Sequence, residues 1–304
     1  GQGKGFPEDL KWSEKKLIKN LSTPNDRRLL AIWSYLKNNK TTKRSIDKVC
    51  KITEFHPFFI DRIAGLVRLE IETEKCEKLI SNKLLTELKT NGFGDKHISC
   101  LTGISQEKIR KQRKKLGIVS SFLMVDTCAG EFEAKTPYFY STYADTKTSF
   151  KTGKNVIILG SGPIRIGQGI EFDYSTVHGV QAAREAGYEA VVVNNNPETV
   201  STDFDASDRL YFEPLDQEAI FEILDLEKPY GIVLQLGGQT AVNLAARIEK
   251  YIKKEKLNTK ILGTRVRDME IAEDRRKCGK LMDSVGVKMP EWAAAENSDE
   301  VVAY

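Results

Sequence analysis

Two kinds of hydrophobic spacing divide the chain near residue 120. Before that point, apolar positions recur every three to four residues, as they do on the buried face of an amphipathic helix. From residue 155 onward, apolar runs of four or five residues alternate with helical segments and with loops rich in glycine and asparagine. Such alternation predicts a parallel sheet covered by helices on both faces. We therefore expect an all-helical bundle followed by a doubly wound, mainly parallel α/β domain.

The first half predicts short-linked helices and no strand. Helices are expected at about residues 24–38, 42–49, 57–71, 82–90, 95–101 and 105–116. The segment 57–71 is apolar enough to be the central helix, and Gly92, Gly94 and Gly103 stand in the short connections. This arrangement is typical of a compact helical bundle.

The second half predicts a site at one edge of its sheet. Strands are expected at residues 156–159, 190–194, 209–212, 231–235 and 260–262. Three polar loops follow the strands that end at 159, 194 and 235, and the carboxyl ends of parallel strands share one edge. Glycine and asparagine are common in any such turn, but three of these loops together favour a polar binding face. Its candidate residues are Gly162, Gly167, Gln168, Asn196, Thr199, Gly237, Gly238, Gln239 and Thr240.

The loop after the first of these strands, GSGPIRIGQGIEFDYS at residues 160–175, fits neither familiar phosphate-binding pattern. In the dinucleotide pattern a third glycine is due at Arg165, where it is absent, and no acidic residue follows the next strand. In the P-loop pattern, Gln168 and Gly169 stand where lysine and a hydroxyl residue are needed. Both NAD and a P-loop nucleotide are therefore disfavoured.

Residues 121–152 predict an extended connector arm between the two parts. Residues 122–125 could form a short strand. Four of the seven residues in 137–143 are Phe or Tyr, and such rings are expected to be packed on a neighbouring surface. A true linker is expected only at about residues 144–154.

Composition excludes several classes of protein. The 304 residues are 40% hydrophobic and 30% charged, without an apolar run of membrane-spanning length or a signal-peptide core, so we expect a cytoplasmic globular protein without membrane contact. The five cysteines and three histidines are scattered, which argues against a disulfide framework, a zinc site and a histidine-centred active site. No catalytic residue and no metal ligand can be named from spacing.

Charge is distributed unevenly. Residues 1–120 hold 26 Lys and Arg against 14 Asp and Glu, whereas the other 184 residues are net negative. Residues 98–115 resemble a helix-turn-helix with a basic second helix, which is typical of nucleic-acid binding. The alternative, which we favour, is a solvated helix face that carries the six basic residues while Ile109 and Leu116 are buried. Those basic residues are Lys108, Arg110, Lys111, Arg113, Lys114 and Lys115.

Three longer motifs resemble the large subunit of carbamoyl phosphate synthetase. They are GPIRIGQGIEFDYS at 162–175, NNNPETVSTD at 194–203 with SDRLYFEP at 207–214, and GGQT at 237–240. VDTCAGEF at 125–132 and YSTY at 140–143 match the same family, while the helical part matches more loosely.

The resemblance implies a domain order. It implies a helical oligomerisation domain at 1–120, the connector at 121–152, a Rossmann-like pre-ATP-grasp domain at 153–265 and the start of an ATP-grasp domain at 266–304. The pattern at residues 165–171 resembles that of the half that phosphorylates carbamate. Arg165, Gly169 and Glu171 would then line the passage through which carbamate reaches that site.

The resemblance also implies an ATP-dependent ligase that serves arginine or pyrimidine synthesis, with Mg²⁺ or Mn²⁺, a glutaminase small subunit and the remainder of the large subunit as partners. Self-association through the helical domain is expected, and nucleic-acid binding is not. The family's nucleotide and metal contacts lie in the ATP-grasp domain, so we expect the 304 residues alone to be inactive and to bind no cofactor. A nucleotide-binding regulator, suggested by the α/β domain alone, is the remaining alternative.

Overall fold

The helical and α/β segments fold as two units in the computed structural model, which describes residues 12–77, 79–143, 154–163 and 170–290. The first unit extends to Ser121 and includes Thr142 and Tyr143, and the second contains Phe122–Ser141 and the α/β segment. The predicted fold class, an all-helical part followed by a mainly parallel α/β part, is confirmed.

The first unit is built from helices with polar caps. They are α1 (Glu14–Ser22), α2 (Arg28–Asn38), α3 (Lys43–Thr53), α4 (Pro57–Thr73), α5 (Asn82–Thr90), α6 (Asp95–Thr102) and α7 (Gln106–Lys115). The side chains of Ser13, Thr42 and Ser81 each accept a hydrogen bond from a backbone N–H of the helix that follows, which satisfies an otherwise unpaired donor. The sequence prediction missed α1, although Leu17 and Leu21 lie buried one helical turn apart.

Two apolar clusters hold these helices together. The cluster of α1 to α4 includes Leu21, Ile32 and Leu36, and the cluster of α4 to α7 includes Leu88 and Ile109. Helix α4 contributes to both clusters, as its apolar sequence predicted for a central helix.

The predicted solvated face of α7 is partly wrong. Arg113 is fully buried, and its Nε donates to both carboxylate oxygens of Asp95 at 3.1 and 2.9 Å. Leu116, expected to be buried, is 38% exposed. The helix therefore turns Arg113 inward, where the buried carboxylate of Asp95 can pair with it. Leu116, which follows the helix, is turned toward solvent.

The second unit contains one sheet. In the described residues its strands are β1 (Ser121–Met124), β2 (Tyr138–Thr142), β3 (Asn155–Leu159), β4 (Glu189–Val193), β5 (Arg209–Tyr211), β6 (Gly231–Val233) and β7 (Lys260–Leu262). Their order across the sheet is β1-β2-β5-β4-β3-β6-β7, and every pair from β2 to β7 is parallel. Strands β1 and β2 lie within the predicted connector, and β2 pairs with β5, so the aromatic segment is an added strand of the sheet.

The helices of this unit cover both faces of the sheet. They are α8 (Glu171–Glu185), α9 (Gln217–Glu227), α10 (Gln239–Val242), α11 (Ala245–Lys254), α12 (Val266–Glu273) and α13 (Arg275–Ser284), with a 3-10 helix at Val200–Thr202. Alternate residues of β3 point to opposite faces. Ile158 packs with Val180 of α8, whereas Ile157 packs with Ile223 of α9 and Ile248 of α11. The predicted double winding follows from these two cores.

Among the described helices, none is long and apolar enough to cross a membrane.

Candidate functional site

The strand order changes direction beside β3. From β3 the chain proceeds to β4 and β5 on one side, and then returns to place β6 and β7 on the other. In open parallel sheets, ligands bind outside the carboxyl ends of the strands at such a switch point. The loops after β3, β4 and β6 lie at that edge, which makes it the candidate site.

Asn194 ties the first two loops together. It follows β4 directly and is fully buried. Its Oδ1 accepts the N–H of Gly162 at 3.0 Å and that of Asn196 at 3.3 Å. A Cβ at residue 160 would lie 2.7 Å from the Asn194 amide, so glycine is needed there for the two loops to approach.

The third loop is packed equally tightly. A Cβ at Gly237 would overlap the carbonyl oxygens of Leu159 and Gly160. Gly238 has a φ of +67° and lies against the ring of Phe172 on α8. Gly237 thus allows backbone to pack on backbone, and Gly238 allows a left-handed turn against an aromatic ring. Both roles differ from that of a glycine that opens room for a ligand.

The predicted loop-edge residues fall into two groups. Gly162, Gly237 and Gly238 are buried in the contacts between the loops, whereas the other described members are partly or fully exposed. Those others are Glu171, Asn196, Thr199, Gln239 and Thr240. Arg165, Gly167, Gln168 and Gly169 lie outside the described residues.

The side chain of Gln239 has partners within its own unit. Its Nε2 donates to Asn243 Oδ1 and to Glu273 Oε2, both at 2.9 Å. In this arrangement Gln239 joins α10 to α12. A ligand would have to displace these bonds to use that amide.

Asp173 holds the N-terminal end of α8 at the same edge of the sheet. This residue is buried in the first turn of α8, and its two carboxylate oxygens accept the N–H of Ser201 at 3.3 and 3.1 Å. The sequence analysis did not single out Asp173 and so missed this contact. The signal available was an aspartate in a first helical turn, and nothing local identifies its partner 28 residues away.

In the part of the chain that the structure describes, two buried acceptors near the carboxyl ends of β4 and β6 have no hydrogen-bond partner. The Oδ1 atom of Asn195 and the Oε1 atom of Gln235 are buried without a hydrogen bond. Buried polar atoms are normally paired, so unpaired ones indicate places where a water or a ligand donor fits. Asn195 lies beside Gly162 and Gln235 beside Gly263.

The described part of this edge does not fit a triphosphate. Residues 160–163, 194–203 and 234–238 contain no lysine or arginine, and they carry the acidic residues Glu198 and Asp203. Among the residues that the structure describes, no group of three or more His, Cys, Asp or Glu could hold a metal ion. Phosphate binding depends on cations or a metal, so a triphosphate at this edge would need cations from outside these described ranges.

The candidate nucleic-acid surface on α7 is weakened by the burial of Arg113. Arg113 cannot reach a phosphate without leaving Asp95, and the carboxylate would then remain buried without it. The Lys111 side chain is exposed and forms an ion pair with Glu107 at 3.4 Å. Fewer basic side chains are therefore available than the sequence pattern suggested.

Two family models match the two units in order. The one described as carbamoyl-phosphate synthetase large chain, oligomerisation domain, matches residues 2–117. The one described as carbamoyl phosphate synthase preATP-grasp domain matches residues 152–271.

Curated relatives match almost the whole chain. The carbamoyl phosphate synthase large chains of Methanosarcina mazei and Methanosarcina acetivorans are each 46% identical over 296 residues, which is 96% of this chain and 27% of each relative. That of Methanothrix thermoacetophila is 44% identical over 290 residues, 95% of this chain and 26% of the relative. The chain thus spans about a quarter of the length of these relatives.

Proposed function

The chain belongs to the carbamoyl phosphate synthase large-chain family, and we propose that its parent protein makes carbamoyl phosphate from bicarbonate, ATP and ammonia released from glutamine. The observation that carries the proposal is the order of the two matched domains, oligomerisation then pre-ATP-grasp, on the helical and α/β units. The comparisons support neither a helix-turn-helix protein nor a free-standing nucleotide-binding regulator.

We propose that the α/β unit belongs to the half that phosphorylates carbamate. The supporting feature is the pattern at residues 165–171, which resembles the loop of that half. Arg165, Gly169 and Glu171 would line the carbamate passage. Glu171 is the first residue of α8, and it is exposed at the carboxyl edge of the sheet. Carbamate decomposes in water, so a closed passage would protect it until it is phosphorylated.

The remaining assignments follow from the same proposal. ATP and Mg²⁺ or Mn²⁺ would be bound by other parts of the parent protein. The helical unit would join copies of the parent, with a glutaminase subunit supplying ammonia. We propose domain boundaries near residues 120, 152 and 265, and we assign residues 266–304 to the beginning of an ATP-grasp domain. We propose a cytoplasmic location for the parent protein, in which its five free cysteines would stay reduced.

Gly169→Leu in the complete enzyme is expected to uncouple the two phosphorylations. A leucine side chain would narrow the passage, so carbamate formed in the first half would escape and decompose. The ratio of ATP consumed to carbamoyl phosphate formed should rise severalfold, while circular dichroism shows an unchanged fold. Gly169→Ala provides a graded control with a smaller rise. An unchanged ratio in Gly169→Leu would remove residue 169 from the passage.

The 304-residue polypeptide alone is expected neither to bind ATP tightly nor to form carbamoyl phosphate. Isothermal calorimetry with MgATP should give no measurable heat of binding at concentrations that saturate the complete enzyme. Our assignment of the nucleotide to other domains would be contradicted by a tight ATP site that is abolished by mutation of an edge residue such as Asn196.

A further inference from the structure

Three buried polar side chains connect the two ends of the glycine-rich loop. The loop leaves β3 at Gly160 and enters α8 at Glu171. Asn194 binds the backbone at its beginning, through the N–H of Gly162. Asp173 lies in the helical turn at its end. Both contacts converge on the single segment 194–201, which follows β4.

The link between these contacts is Ser201. Its N–H is held by both oxygens of Asp173, and its Oγ faces the Nδ2 of Asn194 at 3.5 Å. A continuous series therefore runs from the Gly162 N–H through Asn194 and Ser201 to Asp173. All three side chains are buried, with relative exposures of 0% for Asn194 and Ser201 and 4% for Asp173.

These contacts hold the backbone of the two loops in place. Gly162, Asn196 and Ser201 each donate a main-chain N–H to an Asn or Asp side chain. A buried N–H must be paired, so none of these segments can shift without losing a bond. The 3-10 helix is held internally as well, since Thr202 donates its N–H and its hydroxyl to the carbonyl of Thr199.

We propose that Asn194, Ser201 and Asp173 form a brace that fixes the beginning of α8 relative to the end of β3 and thereby holds Glu171 in place at the carbamate passage. The proposal rests on the proposed function, in which Glu171 lines the passage. Glu171 lies in the same helical turn as Asp173, so a shift of Asp173 would move the passage residue with it. The three residues are positioning residues, because they contact backbone and one another.

The control for this proposal lies at the opposite end of β4. Asp208 also accepts a backbone N–H, that of Ala190, and it pairs with Arg184. Burial disfavours ionisation of Asp208, but Arg184 and the Ala190 N–H together outweigh it and lower its pKa. Asp208→Ala thus removes an aspartate with similar contacts from the same unit, at a place remote from the loop.

The experiment compares Asn194→Ala, Asp173→Ala, Asp173→Asn and Asp208→Ala in the complete enzyme. The first readout is the ratio of ATP consumed to carbamoyl phosphate formed. The second is the second half run backward, in which the phosphoryl group of carbamoyl phosphate passes to MgADP to give ATP and carbamate. That reaction needs no passage between the halves.

Asn194→Ala and Asp173→Ala are expected to raise the coupling ratio severalfold while the backward reaction stays close to that of the unaltered enzyme. Asp173→Asn keeps one acceptor for the Ser201 N–H and should fall between. Asp208→Ala should lower the midpoint of thermal unfolding without changing the ratio. If an alanine variant does not fold, Asp173→Asn carries the same test with a smaller rise.

Two results would overturn the brace. One is an unchanged ratio in the folded Asn194 and Asp173 variants, and the other is an equal rise in Asp208→Ala. If Gly169→Leu also leaves the ratio unchanged, the passage assignment fails together with the brace. If the unaltered enzyme forms no carbamoyl phosphate, the proposed function fails and the brace fails with it. If Gly169→Leu raises the ratio as expected while the Asn194 and Asp173 variants leave it unchanged, the brace alone is overturned.

Discussion

Glu227→Ala is expected to lower the free energy of unfolding of the α/β unit by about 3–5 kcal/mol, the usual cost of removing one partner from a buried charged pair. Glu227 ends α9 and is fully buried. Its carboxylate accepts two bonds from Arg209, at 2.9 and 3.0 Å, one from the Tyr211 hydroxyl and one from Asn155 at 2.5 Å. One side chain thus joins α9 to the beginnings of β3 and β5.

The cost arises from the groups left behind. Without Glu227 the Tyr211 hydroxyl and the Asn155 amide lose this acceptor inside the core, although Arg209 keeps its ion pair with Glu189 at 2.9 Å. Burial is the largest cause of the raised pKa of Tyr211, and because burial remains in the variant it still disfavours ionisation of the phenol. Leaving a donor buried and unpaired costs more than the hydrogen bond itself contributes.

Hydrogen exchange followed by mass spectrometry can measure this loss in each unit separately, because the most protected amides report global unfolding. Exchange should accelerate in β3 and β5 and remain unchanged in α4. Glu249→Ala removes a partly exposed i,i+4 partner of Lys253 and should leave exchange in the sheet unchanged. If Glu227→Ala behaves like this control, the network is not a major source of stability.

The sequence predicted the central strands because their signal is local. The five residues of β3 are all buried, as a short apolar run between polar loops indicates. The pairing of β2 with β5 could not be predicted, since Tyr138 meets Leu210 through contacts formed only in the folded sheet. The aromatic run predicted burial correctly but did not identify its partner.

The site was predictable at the level of the sheet edge and less so at the level of single residues. Polar loops after strands locate the edge by topology alone. The importance of Asn194 and Asp173 depends on hydrogen bonds that span 32 and 28 residues. In the helical unit, the importance of Arg113 likewise depends on a contact between residues distant in sequence. A helical pattern places it on one side of α7, but only the fold brings Asp95 to that side.

Asp95→Ala is expected to destabilise the helical unit by about 3–5 kcal/mol, because it leaves two buried cations without their shared carboxylate. Lys89 and Arg113 are 2% and 0% exposed, and both contact Asp95, at 3.2 and 2.9 Å. Lys89 also donates to the backbone carbonyl of Phe93 at 2.8 Å, and Arg113 to that of Ile118 at 3.2 Å. The ring of Tyr143 lies 5.0 Å from Lys89 Nζ. None of these carries the full negative charge that Asp95 supplies.

The loss should be recovered when the charges are removed together. Buried ion pairs replaced by apolar residues of similar size are often neutral or stabilising, and the same three helices bury Leu88, Ile98 and Ile109 in one apolar cluster. The triple variant Asp95→Leu, Lys89→Met, Arg113→Met should therefore exceed Asp95→Ala in stability, measured by urea unfolding of the helical unit. Glu107→Ala, which removes an exposed ion pair on the same helix, should be indistinguishable from the unaltered chain. If the triple variant is no more stable than Asp95→Ala, apolar packing cannot replace the hydrogen bonds and ion pairs of the charged cluster.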